Sequence, residues 1–164
     1  MTDGTTPRDP LRDLSHDHGQ LGALVLAARG VLVAIDRDEL PFEDGVEELA
    51  SAVETLRHAL LSHFAREEEG FFPFVETQLP ALKARVEKLR TEHDAVCQGL
   101  EELARVVRQS GREGVGYALW LSSFERFEGI YAAHAQSELA LLTDVGASLD
   151  GDARDRLRTI LAEI

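Results

Sequence analysis

Two short segments carry the chemistry of this chain: His63-Phe-Ala-Arg-Glu67 and, further on, His134-Ala-Gln-Ser-Glu138. In each, a histidine precedes a glutamate by four positions. On a helix such residues stand about 40° apart around the axis, so imidazole and carboxylate leave the same face one turn apart. Two such pairs offer two nitrogen and two oxygen donors, a set that suits iron, manganese or zinc. Two further histidines, His18 and His93, join them once the elements that carry all six residues are drawn.

Asp9-Pro10 is a helix start, an N-cap acceptor followed by proline at the first helical position. From there Leu14, His18, Leu21, Val25, Ala28 and Leu32 recur at spacings of three and four, which predicts a first helix ending near Asp36. A second begins near Phe42 to Gly45 and carries Leu49, Val53, Leu56, Leu60, His63 and Glu67. It runs through Phe71 to about Thr77, with Pro73 bending it or opening a turn. Pro80 opens a third, whose stripe is Leu82, Val86, Leu89, His93, Val96, Leu100, Leu103 and Val107, and Ser110-Gly-Arg-Glu-Gly114 breaks it. The fourth carries Trp120, Phe124, Phe127, Tyr131, His134, Glu138 and Leu141 and ends between Gly146 and Gly151. Asp152 to Ile164 is a short fifth helix with Leu157 and Leu161 inward. No segment alternates with a period of two, so no sheet is expected. The fold predicted is all-α: an up-down-up-down antiparallel four-helix bundle over residues 10–148, a flexible tail at 1–9, and a C-terminal helix at 149–164 packed on the bundle.

Every one of the four long helices places a histidine in its apolar stripe, and two also place a glutamate there. A buried polar group without a partner costs roughly 1–3 kcal/mol, and an unpaired carboxylate more. Six such groups at similar heights would destabilise a bundle unless something neutralised them, which a pair of metal ions does. His16 and His58 stand about 200° and about 140° around their helices from His18 and His63. Both are therefore off the stripes, as surface residues or neighbours of the site, His58 having the better claim. Tyr131, one turn before His134, could ligate a metal or donate a hydrogen bond near it. Cys97 also faces inward, as a buried thiol. Glu68, Glu69 and Glu92 read as solvated, with Glu68 and Glu92 adjacent to the stripe and able to orient a neighbour.

The chain of 164 residues is long enough for one domain with a substantial core. Seventeen basic residues against thirty acidic ones give a formal charge of −13, which weighs against a phosphate backbone or an anionic lipid surface as partner. The single cysteine rules out an intramolecular disulfide and suits a reducing compartment. Residues 1–10 lack the basic-then-apolar order of a signal peptide, and no run approaches eighteen uncharged apolar residues. The expectation is a cytoplasmic protein that binds neither membrane nor nucleic acid, as a monomer or weak dimer.

His18 in Leu-Ser-His-Asp-His-Gly, His63-x-x-x-Glu67 followed by Glu68 and Phe72-Pro73, Glu92-His93-Asp, and His134-x-x-x-Glu138 together resemble the hemerythrin-like, or HHE cation-binding, domains. The likeness spans about residues 11–145 and is nearest to a bacterial branch with the order H…HxxxE…H…HxxxE. It implies a non-haem diiron centre in the bundle. Glu67 and Glu138 would bridge the irons, His18 and His63 would terminate one, and His93 and His134 the other, with an oxo, hydroxo or water bridge between; manganese or zinc are alternatives. Oxygen-carrying members have a further histidine where this chain has Leu89, and an aspartate five residues after the last histidine, where it has Leu139. These departures shift the expectation from reversible oxygen carriage to reaction with a small oxidant: oxygen, peroxide or nitric oxide, in stress response or sensing, with an electron donor for turnover. Peroxidase-like, catalase-like or nitric-oxide-reactive activity would follow. The alternative is an iron-binding, iron-sensing or storage module without turnover. A ferritin-like carboxylate oxidase is excluded, because no histidine has a glutamate three positions before it. A metal-free structural bundle is the remaining reading.

Overall fold

The computed structural model describes residues 9–110 and 116–164, and among these there are helices and no strands. Of the tail expected at 1–9, all but Asp9 lies outside the described residues, as does most of the Ser110 to Gly114 break. Four long helices form the bundle: α1 (Pro10–Asp36), α2 (Phe42–Arg66), α4 (Lys83–Arg108) and α5 (Tyr117–Ser148), with α3 (Phe72–Gln78) and α6 (Gly151–Leu161) as short additions. Neighbours in space follow the chain, α1 on α2, α2 on α4 and α4 on α5, and α5 closes back on α1.

The ends of the helices follow local chemistry. Asp9 caps α1 by accepting from the Leu11 N–H at 3.2 Å, and Asp150 caps α6 by accepting from Ala153 at 2.8 Å. The link after α1 turns on Asp38, whose φ of 56° is tolerated because a short polar side chain can occupy the left-handed region. By length and composition α1 is apolar enough to cross a membrane, an outcome not foreseen from its charge pattern; Leu14, Leu21, Val25, Ala28 and Leu32 are buried in this bundle.

The opened turn expected near Pro73 is present and slightly earlier. Residues Glu67–Phe71 form a π-helical turn in which the Phe72 N–H reaches back five residues to the Glu67 carbonyl. Proline cannot donate to a carbonyl four residues back, so the regular ladder cannot run through it, and one extra residue is absorbed just ahead. The third long helix differs in a small way from expectation: Pro80–Leu82 is a 3₁₀ turn, and α4 proper starts at Lys83.

Two apolar clusters fill the interior. One gathers Leu21, Val25, Leu56, Leu60, Phe64, Val96, Leu100, Trp120, Phe127 and Tyr131 among others. The second gathers Leu14, Phe71, Phe72, Leu89, Leu141, Leu142, Leu157 and Leu161. Five of the six polar residues fall between the two along the chain, while His63 lies at the edge of the first, between Leu60 and Phe64. His18 follows Leu14 and precedes Leu21, Glu67 lies between Phe64 and Phe71, His93 between Leu89 and Val96, and Glu138 between Tyr131 and Leu141. The seam between the clusters is where the chemistry sits.

Candidate metal centre

At that seam the six sequence-selected residues come together. His63, Glu67, His93, His134 and Glu138 are buried, and the His18 side chain is 17% exposed. Ligand atoms of His18, His63, Glu67 and Glu138 lie within 4.8 Å of one another, as do those of Glu67, His93 and His134. The imidazoles form two pairs, His18 with His63 at 4.7 Å between ring centroids and His93 with His134 at 4.8 Å.

Both carboxylates reach across these pairs. Glu67 Oε2 is 3.5 Å from His63 Nε2 and 3.1 Å from His93 Nε2. Glu138 Oε1 is 2.6 Å from His18 Nε2, and its Oε2 is 3.7 Å from His63 Nε2 and 3.4 Å from His134 Nε2. All four histidines thus turn Nε2 toward the carboxylates. The 2.6 Å approach of His18 is short enough for a hydrogen bond but is not aligned as one, and both of its atoms count as unsatisfied.

Eleven buried side-chain nitrogen and oxygen atoms have no hydrogen-bond partner among the described residues, and all but Glu92 Oε2 belong to these six residues. Folded proteins leave few buried polar atoms unpaired, and a cluster of them at one place marks a site built for a partner other than protein. The chemistry of the set, imidazole nitrogen and carboxylate oxygen facing a common centre, fits transition-metal ions.

The electrostatics agree. Burial pushes the Glu67 carboxyl well above the usual range, and the neighbouring Glu138 raises it further. Burial acts the same way on Glu138, but Glu67 and the imidazoles of His134, His18 and His63 outweigh it and hold Glu138 well below. The two carboxyls are thus set apart, with Glu67 favouring the protonated form and Glu138 the ionised one. Burial, reinforced by His134, lowers His93 to about 3, which keeps it neutral and its nitrogen free to ligate.

Sequence reasoning placed the remaining residues unevenly. Tyr131 is buried, and its phenol is raised to about 12, first by burial and then by the Glu138 charge. Cys97 belongs to neither ligand group; it lines a cavity of about 50 Å³ with Leu60, Leu61 and Leu100, and burial raises its thiol. His16 and His58 are surface residues, the former beside Gln20 and the latter against the Glu54 carbonyl at 2.9 Å, so His58 is no neighbour of the site. Leu89 is packed in the second apolar cluster, whereas Leu139 is 60% exposed. Leu139 therefore does not stand at a ligand position; four residues, not five, after His134 brings the carboxylate inward.

Glu68 is exposed yet accepts a hydrogen bond from His93 Nδ1 at 2.7 Å, the orienting role its position allowed. Asp17 escaped notice altogether, although it pairs with Arg66 at 2.5 Å and lies 3.8 Å from His63 Nδ1. The available signal was an acid next to a ligand in sequence. Aromatic rings wall the centre on one side: Phe64 stacks on His93 at 3.8 Å, with Phe72 at 5.4 Å from the same imidazole. On another side a cleft of about 200 Å³ between α1 and α2, lined by Asp17, Gln20, Leu24, Ser62 and Arg66, reaches His63. A larger groove of about 320 Å³ beside α3 and α6 touches none of the six residues.

The chain matches the hemerythrin HHE cation-binding domain over residues 9–143, most of its length, and it belongs to that family. Comparison with curated proteins and with solved structures returned no match.

Proposed function

We propose that this protein holds two iron ions at the seam of its bundle and uses them to react with a small oxidant. His18 and His63 would bind one ion, His93 and His134 the other, and Glu67 and Glu138 would bridge them. The observation that carries this reading is the span of the carboxylates, since each approaches imidazoles of both histidine pairs within 3.7 Å. A ferrous pair supplies electrons to oxygen, peroxide or nitric oxide.

The protein's own residues set the conditions. Phe64 and Phe72, packed on His93, exclude water from one side of the centre and favour a small, weakly hydrated reactant. The cleft at His63 gives such a reactant a path of approach from solvent. Neutral His93 offers a lone pair without first losing a proton. The Tyr131 hydroxyl, protonated throughout the physiological range, is a donor on the same stripe as His134 and Glu138.

Stopped-flow mixing of the reduced, iron-loaded protein with oxygen, peroxide and nitric oxide tests the proposal. An optical change with at least one is expected; silence with all three would overturn it. The unpaired polar atoms favour a second reading, a module whose fold depends on metal, because binding to the native state alone would relieve their cost. Far-ultraviolet circular dichroism at a fixed physiological temperature with and without chelator distinguishes it, since a sensor requires the metal-free chain to unfold there, beyond the several-degree loss of midpoint that any native-state ligand gives.

A further inference from the structure

The outward nitrogens of three histidines each face a carboxylate from the preceding helix or turn around the bundle. Asp17 on α1 stands 3.8 Å from His63 Nδ1 on α2, Glu68 in the π-helical turn 2.7 Å from His93 Nδ1 on α4, and Glu92 on α4 3.5 Å from His134 Nδ1 on α5. Each acid is the sequence neighbour of a residue of the inner set: Asp17 of His18, Glu68 of Glu67, and Glu92 of His93. Adjacent helical positions diverge by about 100°, so when one side chain points to the centre the next points toward the neighbouring helix. One dipeptide thus supplies a group to the centre and a support to the next helix.

The pattern stops between α5 and α1. The residues flanking His134 are Ala133 and Ala135, and those flanking Glu138 are Ser137 and Leu139, so α5 has no acid to place behind His18. Ser137 instead donates to Glu92 Oε1 at 3.1 Å, and Lys88 approaches that same oxygen at 3.0 Å, which fixes the acid behind His134. Arg66 holds Asp17 in a similar way.

We propose that Glu68 is a positioning residue that keeps the proton of His93 on Nδ1 and so presents Nε2 to the centre, and that Glu92 and Asp17, near His134 Nδ1 and His63 Nδ1 but not hydrogen-bonded to them, give the same bias more weakly through their charge. This role rests on the proposed metal centre for its purpose but not for its test. A carboxylate beyond a ligating imidazole fixes its tautomer and ring orientation, and its loss typically weakens metal binding by about 10–100-fold. The distances order the three: Glu68 makes a full hydrogen bond, Glu92 and Asp17 stand farther off, and the effects should fall in the sequence Glu68, Glu92, Asp17.

Two readouts decide the matter. Long-range ¹H–¹⁵N spectra of the metal-free protein should show His93 protonated on Nδ1 in wild type and in Glu68→Gln, whose amide oxygen still accepts, but mixed in Glu68→Ala. Competition with a zinc indicator should show about 10–100-fold weaker zinc binding in Glu68→Ala, partial recovery in Glu68→Gln, and smaller losses in Glu92→Ala and Asp17→Ala. Glu69→Ala, an exposed neighbour, should match wild type. An unchanged His93 tautomer in Glu68→Ala, or an equal loss in Glu69→Ala, would overturn the inference. If wild type bound no metal ion at all, the proposed centre would fall, and the His93 tautomer would still decide the positioning role.

Discussion

Burial holds the Tyr131 phenol at about 12, above the ordinary value of 10. A group whose folded-state pKa is raised contributes stability in full below its unfolded pKa and loses it as pH rises through the folded one. The contribution is thus intact below pH 10 and gone above about 12, and two units correspond to about 2–3 kcal/mol. Tyr131→Phe should remove this alkaline loss while keeping the packing, which urea midpoints between pH 9 and 12 for the two proteins would reveal. Parallel curves would show that the hydroxyl does not feel its surroundings as described. At the same scale, His63→Ala and Glu67→Ala should abolish iron retention, whereas His16→Ala should leave it unchanged, as read by iron analysis after reconstitution. The six inward residues were legible in the sequence because a histidine in an apolar stripe stands out against Leu and Val. Asp17 was not, because it serves a residue on another helix and looks locally like any solvated acid beside a polar neighbour; Glu68 and Glu92 could be read as able to orient a neighbour, but their positions did not say which histidine each would serve.

Among the elements, the π-helical turn matters most, since it carries both Glu67 and Glu68. Gly70 within it lies against the C-terminal end of the chain: a Cβ there would stand 2.6 Å from Ile164 Cδ1 and 2.9 Å from Leu161 Cδ2. Absence of a side chain lets Leu161 and its neighbours close over the turn. Gly70→Leu should therefore push the end of α6 away, costing about 1–3 kcal/mol, and weaken metal binding as the turn loosens. Gly30, toward the C-terminal end of α1, has nothing within 4 Å of where a Cβ would stand, so Gly30→Ala should stabilise by about 0.5–1 kcal/mol through helix propensity alone. Urea titrations of both variants check the contrast; the same sign for both would contradict it. Helical stripes gave the four long helices and the position of Pro73 gave an opened turn. The closeness of α6 to Gly70 was illegible, because a glycine in sequence does not say which distant segment fills the space beside it.

For the whole molecule, the bundle is two apolar clusters joined by a polar seam, and among the described residues the unpaired buried side-chain atoms gather at that seam. Metal should act as a staple between the halves. Ions that bind only the native state at a hundredfold excess over Kd stabilise by about 2.7 kcal/mol, so chelation should lower the thermal midpoint by several degrees at this size. His63→Ala, already unable to bind, should show no such shift. The formal charge of −13 belongs to the chain as a whole, while the inner site gathers two acids and four histidines, a composition that average properties conceal. The most direct test of the proposed diiron centre is the iron content of the purified, reconstituted protein, read with its optical spectrum. About two irons per chain, with absorption in the near ultraviolet that disappears in Glu67→Ala, is the predicted result. Fewer than one iron per chain after reconstitution would contradict it.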